Sequence, residues 1–128
     1  MTKTEANELA LILRIDFPGQ MRLGRGKVQL MEHIRDTGSI SAAGRAMDMS
    51  YRRAWLLVDE MNRMFRQPVV ESQRGGKQGG GAALTAFGEE LLARMHAVQA
   101  TVVKAMDADL NWLEKHRAPV TVTETLDG

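Results

Sequence analysis

The chain has 128 residues, 44% of them apolar, with 17 Lys/Arg against 16 Asp/Glu and no cysteine. That length suits one domain with an appended element and excludes two ordinary domains. The missing thiols exclude disulfides, thiolate metal sites and cysteine nucleophiles, and they fit a reducing cytoplasm.

The near-neutral total hides a division. Residues 22–77 hold eleven basic and six acidic residues, a net of +5, while the flanks hold six and ten. A polyanion would therefore meet the middle of the chain. The opening MTKTEANELALILRI has neither the long apolar run of a membrane span nor a small-residue cleavage site, so a cytoplasmic protein without a membrane partner is expected.

Residues 9–16 are apolar apart from Arg14 and Asp16 and predict a strand closed by a turn at Pro18-Gly19, with a second short strand over 20–23. Residues 27–36 carry Val28, Leu30, Met31 and Ile34 at helical spacing, and Thr37-Gly38 ends that helix. Ser39 or Ser41 then caps a short helix whose inner face is small: Ala42, Ala43, Ala46 and Met47. Asp48-Met49-Ser50 breaks it, and Ser50 caps a helix from Tyr51 to about Phe65. Two helices three residues apart, with alanines where they approach, predict a helix-turn-helix. Residues 69–72 and 82–84 predict two more strands. Thr85 caps a long helix reaching Arg117, with Glu89 and Glu90 near its positive end and Lys115, His116 and Arg117 near its negative end.

Residues 75–81 put five glycines and Lys77 into seven positions. A nucleotide-binding P-loop needs G-x-x-x-x-G-K-[ST], but Glu71 stands at the first glycine and Gln78 at the hydroxyl residue. A dinucleotide fold fails too, because no βαβ unit of about thirty residues surrounds the glycines. What fits is a hairpin loop over 74–81. The order helix, helix, helix, strand, loop, strand is that of a winged helix, so the expected fold is mainly α with a small β wing and a long C-terminal dimerisation helix. The expected boundaries are 1–84 for the winged helix-turn-helix, 85–117 for the helix and 118–128 for a tail. Glycines leave no side chain to block approach to a nucleic-acid backbone. Arg74 and Lys77, with Gln78 beside them, are the wing's candidate contacts to phosphates or a minor groove.

Three stretches carry a family resemblance: TGSIS (37–41), MSYRRAWLLVDEMN (49–62) and GGKQGGGAALTAFGEELL (75–92). Together they resemble the DNA-binding domain of the ModE-type molybdate-responsive transcriptional regulators over about residues 9–103, and more distantly that of LysR-type regulators. The resemblance implies a homodimer on a palindromic operator in double-stranded DNA, usually repressing molybdate uptake or molybdenum-enzyme genes. Full-length members add a C-terminal pair of small β-barrel domains that bind molybdate, and this chain ends where those would begin. No cofactor is therefore expected within it, and the effector anion stays open.

At about 100° per residue, Ala54, Leu57, Val58, Met61, Met64 and Phe65 share the core face of the third helix. Arg52, Asp59 and Arg63 lie opposite, with Arg53, Leu56 and Glu60 to one side. Because Asp59 and Glu60 would repel phosphates, only the first turn is cationic, and Ser50, Tyr51, Arg52 and Arg53 are expected nearest the bases. Arg52 points most directly outward and is the candidate for bidentate contact with guanine, worth about 1–3 kcal/mol of discrimination. Arg53 is the candidate for a phosphate. Trp55 is expected to pack on a neighbouring element. Ser39 and Ser41 are caps first, with backbone amides placed to meet a phosphate.

Leu91, Met95, Val98, Val102 and Ala105 repeat at spacings of four, three, four and three, an a/d seam of about two heptads. Such a seam either forms a dimer interface, the reading favoured here, or buries the helix on its own domain. An enzyme is not expected: His33, His96 and His116 lie on different helices or helix ends with no ligand spacing, and the nine methionines follow apolar helical positions as core filler. The remaining alternative is an architectural or protein-interaction module, against which the cations Arg52, Arg53, Arg74 and Lys77 argue.

Overall fold

The computed structural model describes residues 8–73 and 81–120. The chain forms two units, residues 12–99 and residues 1–11 with 100–128. The first begins with a hairpin of β1 (Arg14–Phe17) and β2 (Met21–Gly24), turned at Pro18-Gly19-Gln20 with Gly19 and Gln20 at positive φ. The strand expected over 9–16 is thus shorter and later. Its register begins with Arg14 opposite Gly24, and at Arg25 the partner strand gives way to a helix, so the β ladder starts at Arg14.

Helix α1 (Arg25–Thr37) buries Lys27, Leu30, Met31 and Ile34, the three- and four-residue spacing of one helical face. It ends at Gly38, whose left-handed φ of 71° lets its N–H bond the Ile34 carbonyl at 2.8 Å. Ser39 then caps α2 (Ile40–Ala46), its Oγ accepting from the Ala42 N–H at 3.0 Å. The face that α2 buries is Ile40, Ala43 and Gly44. Ala46, expected inside, is exposed, because with Ile40 setting the inward direction the next positions on that face are 43 and 44. A methyl at Gly44 would lie 2.9 Å from the Ala54 Cβ, so glycine is what lets α2 approach the following helix this closely.

Asp48 takes a positive φ of 61° in the turn, and Ser50 caps α3 (Tyr51–Met64), accepting from the Arg53 N–H at 3.0 Å. Ala54, Val58 and Met61 are buried, with Leu57, Met64 and Phe65 packed on the same core. The hairpin of β3 (Val70–Gln73) and β4 (Gly81–Leu84) follows, with Val70 opposite Leu84 and Gln73 opposite Gly81. Residues 74–80, the expected wing tip, lie outside the described residues, and Arg74, Lys77 and Gln78 with them.

Two polar side chains secure the base of this hairpin. Asn62 of α3 accepts from the Val69 and Val70 N–H groups at 2.7 and 3.0 Å and donates to the Val70 carbonyl at 3.0 Å. Thr85 donates its hydroxyl to the Pro68 carbonyl at 2.7 Å, accepts from the Gly88 N–H at 2.9 Å, and gives its own N–H to the Val69 carbonyl at 2.9 Å. At the other side, the Ala82 N–H donates to the Gly38 carbonyl at 2.9 Å, joining β4 to the α1–α2 junction. Leu23, Val69, Val70, Ala82, Leu84, Leu91 and Leu92 complete the core with the helical residues above. Phe65 bridges Phe17 and Phe87 with ring centroids 5.5 and 5.4 Å apart.

The helix expected over 85–117 is two helices, α4 (Ala86–Ala105) and α5 (Asp107–His116), interrupted at Met106. Asp107 and Asp109 in the first turn of α5 favour a helix start there through the helix dipole. In this second unit Trp112 stacks on His116, centroids 4.4 Å apart, and His116 Nδ1 lies 2.8 Å from the Trp112 carbonyl oxygen. The architecture is mainly α with a small β wing, a winged helix-turn-helix fold as the element order predicts.

Candidate nucleic-acid interface

The inner side of α3 is committed to the core, which leaves its outer side to solvent or a partner. Tyr51, Arg52 and Arg53 of the first turn are all exposed. Ser50, also exposed, spends its oxygen as a cap, and that cap makes the first turn regular. Among the described residues neither Arg52 nor Arg53 has an acidic partner within salt-bridge distance. The other cation of this helix, Arg63, is held by Asp59 one turn earlier at 3.1 Å.

The acidic residues further along α3 are less repulsive than the sequence count implied. Asp59 is paired with Arg63, and Glu60 is bound by the ammonium of Lys27. Lys27 is 7% exposed, donates also to the Arg22 carbonyl at 2.6 Å, and so joins β2, α1 and α3 at one point. Hydrogen bonding from Lys27, with a smaller attraction from Arg63, holds the Glu60 carboxyl below the usual carboxylate range, against the opposing effect of burial. The pair ties α3 to α1 beside the apolar contacts of the core.

Trp55 keeps 38% of its surface exposed. Its ring meets Tyr51 edge-on one turn earlier in the same helix, centroids 6.1 Å apart. Leu56, placed to one side by the sequence reading, is exposed as well, one turn beyond Arg52. Ser39 is engaged in its cap. Ser41 is not the alternative cap, because its Oγ accepts from Arg45 Nη1 at 2.8 Å.

The heptad seam on α4 is divided. Leu91 is buried in the domain's own core, and Met95, half-buried, packs against it. Val98 is exposed, Val102 half-buried and Ala105 exposed. His96, exposed on α4, has its Nε2 2.5 Å from a Glu32 carboxylate oxygen on α1. Among the described residues no three His, Asp or Glu side chains gather to hold a metal ion, and no helix is long and apolar enough to cross a membrane.

No family model matches the chain. It is 46% identical over 87 residues to the molybdenum-pterin-binding protein MopB of Rhodobacter capsulatus, covering 68% of this chain and 32% of that protein. To the MopA protein of the same organism it is 36% identical over 102 residues, 78% of this chain and 38% of MopA. To the DNA-binding transcriptional dual regulator ModE of Escherichia coli it is 37% identical over 81 residues, 63% of this chain and 31% of that regulator. The chain is ModE-like. Its matches span about a third of the length of these relatives. The ModE-like chain thus pairs a relationship to named regulators with a helix whose outer first turn is cationic and unpaired.

Proposed function

We propose that this chain is the DNA-binding part of a transcriptional regulator, a repressor acting as a homodimer in the cytoplasm on a palindromic operator in double-stranded DNA. The observation that carries the reading is the exposed first turn of α3, where Arg52 and Arg53 stand clear of every described acid on the outer side of a capped helix. A helix in this setting enters the major groove by its N-terminal end. Arg52 reads guanine, Arg53 holds a phosphate, and the wing residues Arg74, Lys77 and Gln78 hold the backbone beside it. The relationship to ModE supports genes of molybdate metabolism as targets. Val98, 41% exposed on α4, with the following seam positions Val102 and Ala105, is offered to the second copy. No cofactor is required within these residues for the proposed role.

Recovery and sequencing of genomic fragments bound by the full chain at physiological salt tests the reading. An enriched inverted repeat is expected, and even coverage refutes it. On that repeat Arg52→Ala should relax base preference, whereas Lys77→Ala should lower affinity for all sequences alike. If Arg53, Arg74 and Lys77 each neutralise one phosphate, the slope of log K against log salt is about −3 per protomer.

A further inference from the structure

Three apolar side chains lie together on the outer side of α3, where a solvated DNA-binding helix would otherwise carry polar groups. Tyr51 is 60% exposed, Trp55 38% and Leu56 53%. Single exposed apolar residues are ordinary, but here Trp55, in contact with Tyr51, and Leu56 flank Arg52 on its two sides. At about 100° per residue, Leu56 falls 40° from Arg52 and Trp55 falls 60° from it on the other side. The patch is therefore continuous with the unpaired cation assigned to guanine, and the polyanion drawn by Arg52 and Arg53 is the occupant it fits.

The floor of the major groove offers one apolar group, the 5-methyl of thymine. We propose that Leu56 and Trp55 read thymine methyls, so that the operator half-site places thymine beside the guanine contacted by Arg52. The assignment rests on the DNA-binding reading above. Leu56 lies four residues beyond Arg52, about 6 Å along the helix at 1.5 Å per residue. Against a spacing of about 3.4 Å per base step, that displacement spans roughly two base pairs. Thymine is thus specified about one to three pairs from the guanine, on either strand. The edge-on contact of Tyr51 steadies the Trp55 ring in its outward position.

The test uses the full chain and the fragment it selects, with each thymine of a half-site replaced in turn by deoxyuridine, which lacks only the methyl. Binding is read by fluorescence anisotropy at fixed salt. Burial of one methyl corresponds to about a fourfold change in affinity. About that loss is expected at one or two thymines near the guanine, and in Leu56→Ala or Trp55→Ala the loss at the corresponding thymine should disappear. Leu56 is exposed, so its replacement does not threaten the fold. A selected sequence indifferent to every methyl overturns this assignment alone. So does a methyl effect that survives both substitutions, since the methyl would then act through DNA shape. Failure to select any sequence overturns both the assignment and the reading beneath it.

Discussion

Replacing Glu60 by alanine would leave the Lys27 ammonium, 7% exposed, with the Arg22 carbonyl as its remaining described partner. Removing one member of a fully buried ion pair costs about 3–5 kcal/mol. The Glu60 side chain is 32% exposed, so water can reach the vacated position and about 2–3 kcal/mol is the expected loss. The reverse change is not equivalent. Lys27→Met removes the buried charge, fills its space with an apolar chain, and leaves Glu60 where solvent can hydrate it, for a cost of about 0–1 kcal/mol. For a domain of 60–100 residues, 1 kcal/mol corresponds to about 4–8 °C in Tm, so Glu60→Ala should melt roughly 10–20 °C lower and Lys27→Met within a few degrees of wild type. Urea unfolding followed by circular dichroism measures both. Equal losses, or a larger loss in Lys27→Met, would refute the reasoning, because the buried cation would not be the liability.

Acid supplies an independent check on the same pair. The Glu60 carboxyl lies below its ordinary range in the folded state, so its contribution is complete above that range and is lost as pH falls through the lowered folded value. Wild type should converge with Glu60→Gln across that acidic window, and a constant difference there would count against the ion pair.

Asn62→Ala should cost about 2–3 kcal/mol, since it orphans two N–H groups and a carbonyl at the base of the β3–β4 hairpin; urea unfolding reads it. Gly88→Ala should be among the most damaging changes, because its methyl would sit 2.3 Å from the Val69 carbonyl oxygen; a melting curve close to wild type would refute that. Ser50→Ala should cost about 1 kcal/mol through loss of the α3 cap, with Ser50→Gly costing only a few tenths, as thermal unfolding can measure.

The features legible in the sequence are those whose causes are local. Gly38, Ser50 and Thr85 mark helix ends because a cap is decided within a few residues of itself, and their positions on the chain suffice. The outward direction of Arg52 follows from helical period alone. Illegible were the features that depend on distant partners. Lys27 meets Glu60 across 33 positions, so both read as ordinary surface charges. Leu91 and Met95 have the spacing of a dimer seam, but the same spacing serves a helix lying on its own core, and periodicity does not distinguish the two. The break at Met106 did leave a signal: Asp107 and Asp109 suit a helix start far better than the middle of one. The exposure of Leu56 and Trp55 was not legible either, because an apolar residue outside the core face carries no local sign of whether a neighbour covers it.

The lashing of the second hairpin to its surroundings sets a limit on what sequence drift can achieve. Its base is tied to α3 through Asn62, to the entry of α4 through Thr85, and to the α1–α2 junction through Ala82. The span from hairpin base to α3 is then a property of the backbone, like the gap of a fixed gauge. On the proposed DNA-binding reading, point substitutions at Arg52 or Leu56 would alter which letters the gauge accepts, but none of them would alter its width. An operator would accordingly tolerate exchanged bases far better than one inserted base, which displaces the remaining contacts by about 3.4 Å per strand at a single stroke. Divergence of such regulators would run through their alphabet, with the ruler left as it is.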